Sequence, residues 1–165
     1  MIHDQESRDT LVRALSGEGA HVEVKTALDG VTWTRAGARP HGIPKSIFQI
    51  VNHLIFWNAW VVDWLDGADP PIPQQDSDSW PGAVGPASAD EWEAAAARLG
   101  DLADALAQHA REDDLRSTRL SLGAPKSRAT MLHTIASHNS YHLGQIVLVR
   151  RIVGAWPPPG GGLTW

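Results

Sequence analysis

The chain contains no cysteine, and that absence removes a large block of chemistry. Disulfides, thiolate-ligated zinc, iron-sulfur clusters and a protein thiol nucleophile are excluded, so any thiol chemistry must use a small-molecule thiol. Positive charge is also short: 14 Lys and Arg stand against 19 Asp and Glu, a formal net charge of −5. Nucleic-acid phosphates are met by an excess of basic residues, so no nucleic-acid partner is expected. The longest apolar stretch, residues 54–64, contains Asn58 and Asp63. It is too short to span a bilayer, which takes about 20 residues. Residues 1–7 lack the basic region and apolar run of a signal peptide. The expectation is a cytoplasmic protein with no membrane partner. Gly160-Gly161-Gly162 has neither the strand nor the helix of a phosphate loop, and no Gly-x-Ser-x-Gly elbow supports a serine triad.

What is present fits one helical domain over residues 1–165, long enough to bury a substantial core. Hydrophobic residues make up 42% and charged residues 20%, yet eight Trp stand beside one Tyr and two Phe. A first helix is predicted over residues 4–15 with Gly17 past its end, and a short one over 20–28 stopping at Gly30. Residues 32–45, with Gly37, Pro40, Gly42 and Pro44, read as a loop. Ser46 with Gln49 forms a capping-box start for a helix over 47–66, which Gly67 and Pro70 stop. On it His53, Trp57, Trp60 and Trp64 share a stripe, while Phe48, Val51, Ile55, Phe56 and Val62 make the helix apolar almost all round. Such a helix is covered on more than one side. A partner subunit would do this, so a homodimer is expected; covering by the long loops is the alternative.

Residues 67–87 read as a long connection in which Trp80 either roofs a pocket or anchors the loop. Ser88 and Glu91 start a helix to about residue 110, whose outer face carries Glu93, Arg98, Asp101, Asp104 and Gln108 as a solvated surface. Residues 112–126 read as a loop, and Ser127 caps a last helix ending at Gly154. There Leu132, Ile135, Asn139, Leu143, Ile146 and Val153 form the core stripe, and Arg150 and Arg151 are read as dipole-complementing, solubilising charges. The fold class is all-α, a four-helix bundle with one or two long crossover connections.

His138 and His142 lie four apart on the last helix, hence on one face, and can share a divalent metal ion. Two imidazoles are too few, and the best third ligand is His53 on the other strongly apolar helix. Three neutral imidazoles suit zinc or nickel and leave a position for water or substrate. Gln145, seven residues past His138, and Tyr141 flank the same face. His21 is a pocket candidate, with a structural role favoured. His133 lies about 140° round the helix from His138 and points away, while His3, His41 and His109 are expected to be exposed. No Glu or Asp falls in the helical register of the His pair, so a general base is missing.

Several of these motifs occur together in one known family. The run from His138 to Ile146, followed by Arg150, Gly154 and Trp156, resembles the closing helix of the DinB-like (DNA-damage-inducible, YfiT-like) metal-dependent family. In that family a His-x3-His pair on the last helix joins a His on the second. Ser46-x6-His53-Leu54-x2-Trp57, Ala20-His21, Trp80-Pro81 and the 157–165 tail are also similar, so the resemblance spans nearly the whole chain. It implies a small-molecule substrate and either a low-molecular-weight thiol S-transferase or isomerase or a metal-dependent hydrolase, and its name implies no DNA binding. The alternative is a non-catalytic, dimeric stress-response protein whose metal is structural.

Overall fold

Serine hydroxyls start three of the four long helices. Ser46, Ser88 and Ser127 each accept the backbone N–H three residues on, from Gln49, Glu91 and Thr130 at 3.1, 3.2 and 3.1 Å, which satisfies a donor the first turn cannot. The computed structural model describes residues 2–18, 20–121 and 123–161, leaving out the side chains of Ile2 and His3. The expectation for His3 and the end of the 157–165 tail fall outside what is described. Among the described residues the helices are α1 (Ile2–Ser16), α2 (Val24–Leu28), α3 (Trp33–Ala36), α4 (Ile47–Leu65), α5 (Ala89–Glu112) and α6 (Arg128–Ile152). A 3-10 turn covers Asp76–Ser79, and β1 (Thr118–Ser121) pairs antiparallel with β2 (Ala124–Ser127).

The four long helices, α1, α4, α5 and α6, form the bundle. α1 and α4 each pack against both α5 and α6, and the diagonal pairs barely meet. At one end Val51 and Leu54 of α4 pack with Trp92 and Leu99 of α5 and Leu143 and Ile146 of α6. At the other, Val61 and Trp64 pack with Leu106, Ala110, Leu132 and Ile135, and with Leu11 and Leu15 of α1. α4 and α5 therefore run parallel and α6 runs against both. Parallel neighbours need a connection that returns the length of the bundle, and residues 66–88 supply it.

That crossover is fastened along α4 at three points. The Trp60 indole N–H donates to Pro71 O at 2.9 Å, His53 Nδ1 lies 3.1 Å from Ser79 O, and the Ser46 hydroxyl donates to Val84 O. One exposed side of the apolar α4 is thus covered by its own chain. No helix among the described residues is long and apolar enough to cross a membrane.

Several local expectations are corrected. The 32–45 loop contains α3, because Thr32 Oγ accepts from Arg35 N–H. The short second helix starts at Val24, not at residue 20. The 112–126 loop holds a hairpin that Arg119 ties to the end of α4, by donating to the carbonyls of Trp64, Gly67 and Ala68. His109 is half-buried, with Nδ1 3.0 Å from Asp113 and Nε2 3.4 Å from Asp66, so it joins the ends of α4 and α5. Arg150 is 1% exposed and is no solubilising charge. Its guanidinium donates to Thr26, Ala27, Asp29 and Ala155 carbonyls at 2.7–3.3 Å and packs over Trp156.

Candidate metal centre

The middle of the α4–α6 contact brings His53, His138 and His142 together. The ring centroids of His53 lie 5.1 and 4.8 Å from those of His138 and His142, which are 4.5 Å apart. One ligand nitrogen from each lies within 4.8 Å of the others. Register makes this possible: His138 and His142 are one turn apart on α6, and a buried amide pair fixes α4 beside them. Asn58 and Asn139 exchange reciprocal hydrogen bonds of 2.9 and 2.8 Å, so the polar atoms that cross the seam one turn from the imidazoles are paired.

The tautomers follow from the partners. A carbonyl oxygen only accepts, so the Nδ1 of His53 carries its proton toward Ser79 and leaves the Nε2 lone pair free. His142 Nδ1 donates to Gln145 Oε1 at 2.7 Å, which likewise frees Nε2. His138 Nδ1 is buried with no hydrogen-bond partner among the described residues. Its Nε2 lies 3.2 Å from His53 Nε2. Two lone pairs at that separation repel unless a proton or a cation lies between them. Nitrogens about 2.0–2.1 Å from a shared tetrahedral ion stand roughly 3.3–3.4 Å apart, so the spacing fits a divalent metal.

Electrostatics agree with ligation. Burial pushes His53 down to about 4, with the Ser79 hydrogen bond opposing and the neighbouring His142 and Lys45 adding to the fall. Burial, then the charges of His142 and His53, takes His138 to about 4. His142 is also lowered by burial, against the pull of Gln145. All three are neutral near pH 7, the state a metal requires. Holding each imidazole by its other nitrogen is the arrangement by which ligating histidines are oriented, and His53 and His142 have it.

The centre opens to a cleft of about 330 Å³ lined by His53, His142, Trp57, Trp80, Ser79 and residues 73–76. Trp80 stacks on His53 with centroids 3.8 Å apart and planes 6° from parallel, and also packs against the core. It thus does both jobs, roofing and anchoring. Trp57 lines the cleft and meets His138 edge-on. Gln145 faces His142, not a substrate position. Tyr141 is 66% exposed and touches only the edge of the His142 ring. His21 lies away from the cleft, in a groove with Leu143, Gly144 and Val147, with Nδ1 2.9 Å from Val22 O. His133 and His41 are exposed.

The Ser79 carbonyl, the Asn58–Asn139 pair and Asp76 were not singled out from sequence. The first two are tertiary contacts with no local signature. No carboxylate falls in the helical register of the His pair, whereas Asp76 arrives on the crossover.

A helical bundle with a long crossover and a three-histidine cluster at its α4–α6 seam defines the class of protein by its architecture; family comparison makes it specific. The DinB superfamily profile matches residues 18–146. The chain belongs to the DinB superfamily. Among curated proteins none matches the chain.

Proposed function

We propose that this protein is a metal-dependent enzyme in which His53, His138 and His142 hold a divalent ion, zinc or nickel, to activate a small-molecule thiol or water. Once bound, an ion with three imidazole ligands offers an open position where it lowers the pKa of water to about 7 or holds a thiol as its thiolate. The observation that carries this reading is the 3.2 Å approach of the Nε2 atoms of His53 and His138, with His142 completing the triangle. Ser79 and Gln145 orient two of the rings, and the stacked Trp80 shields His53 from water.

The reaction we favour is S-transfer or isomerisation with a low-molecular-weight thiol, with metal-dependent hydrolysis as the other. Thiol chemistry asks less of a protein base, and the acid that lines the cleft, Asp76, is solvent-exposed. A cytoplasmic setting, where small thiols stay reduced, suits this chemistry. A homodimer is part of the proposal. Tyr141, Leu148 and Ile152 lie exposed on the outer face of α6 and support a pairing surface there.

The test is a screen of thiols with electrophilic substrates on zinc- or nickel-loaded protein. Loss of turnover in His142→Ala with the thermal midpoint retained supports the proposal. Turnover that persists in a metal-free variant lacking all three histidines overturns it. A thermal midpoint that falls in step with metal loss, without any turnover, points instead to a structural ion in a stress-response protein.

A further inference from the structure

The crossover brings two carboxylates near the centre, and they are used differently. Asp78 accepts the backbone N–H groups of Gln74 and Gln75, each at 3.1 Å, so it holds the turn in shape. Asp76 offers only its carbonyl, to the Ser79 hydroxyl at 3.0 Å. Asp76 is exposed and lines the cleft, and its carboxylate has no hydrogen-bond or ion-pair partner among the described residues. It is also the single formally charged side chain other than histidine lining the cleft. Lys45 packs over Trp80, its Nζ 4.7 Å from the ring centroid; its charge is felt at His53, but it does not line the cleft. The turn is anchored next to the imidazoles through Ser79 O on His53, so the residue that carries this carboxylate is held beside the centre.

We propose that Asp76 selects a small thiol that carries a cationic group, such as an ammonium, a few bonds from its sulfur. The inference rests on the proposed thiol chemistry of the three-histidine centre. A negative charge at the rim attracts such a molecule and disfavours an anionic one. The Trp57 indole on the cleft wall adds an aromatic surface of the kind cations favour. No covalent role falls to Asp76; it positions the co-substrate.

The experiment uses the full chain loaded with cobalt(II), whose thiolate charge-transfer band reports binding without turnover. Three probes, 2-aminoethanethiol, 2-mercaptoethanol and mercaptoacetate, are titrated against wild type and Asp76→Asn, with Asp104→Asn on α5 as a remote charge control. Thermal midpoints verify the fold. Because the thiols differ in their own acidity, the comparison is between proteins for each thiol. The expected result is a weakening of about fivefold for 2-aminoethanethiol in Asp76→Asn, the size of an exposed ion pair. 2-Mercaptoethanol should be unchanged, mercaptoacetate tighter, and Asp104→Asn silent. Equal affinities in wild type and Asp76→Asn for all three overturn the role of Asp76 alone. No thiolate band with any probe overturns it together with the thiol reading of the centre.

Discussion

Two buried polar clusters on α6 can be set side by side. Around Arg150, each guanidinium nitrogen donates to an oxygen: the carbonyls of Thr26, Ala27, Asp29 and Ala155 receive it, and Trp156 covers its face. Around His138, three turns earlier, the reverse holds. One ring nitrogen is buried without a hydrogen-bond partner among the described residues and the other faces a second lone-pair-bearing nitrogen at 3.2 Å. A satisfied cluster is a structural joint, and here it fastens the end of α2 to the end of α6. An unsatisfied one, kept beside a fully paired Asn58–Asn139 bridge, is a place for something the chain does not itself provide.

The largest effect should come from breaking the satisfied cluster. Arg150→Met leaves buried carbonyls unpaired and should cost about 3–5 kcal/mol, a fall in thermal midpoint on the order of 10 °C. A loss of only a degree or two in thermal scans would mean that Arg150 is not the joint described.

The histidine cluster should betray itself through pH. Burial holds His53 and His138 at about 4 in the fold, against 6.5 ordinarily. Between those values the unfolded chain binds more protons than the folded one, so stability rises with pH through that window. The metal-free protein should therefore lose thermal stability as pH falls from about 6.5 toward 4. A His53→Asn, His138→Asn variant should lose most of that slope, which thermal scans across the window would register.

A smaller change is expected one layer out. Gln145→Leu removes the acceptor of His142 Nδ1–H and should weaken metal binding roughly 10- to 100-fold. Competition against a chelator of known affinity measures this, and unchanged affinity would deny Gln145 its orienting role.

The contrast also explains what could be read in the chain beforehand. The capped helices were legible because Ser46, Ser88 and Ser127 act within three residues of themselves, and the His138–His142 pair because four residues make one helical turn. His53 was legible as the histidine on the one other strongly apolar helix. The fate of Arg150 was not: its partners are backbone carbonyls, which every residue carries, and those of α2 lie more than a hundred positions away. Asp76 was missed for a related reason, since a loop residue has no register until the crossover is fastened. The hairpin was hidden too, its strands being four residues each, too short to show an alternating pattern.

The central claim is that the three clustered imidazoles hold an ion. The most direct measurement is metal content by elemental mass spectrometry on tag-free protein and on a His138→Ala, His142→Ala double variant, each with its thermal midpoint. The account predicts about one equivalent of zinc or nickel per chain in the first and none in the second. No metal in either, with no gain in thermal midpoint on adding zinc or nickel, would contradict it.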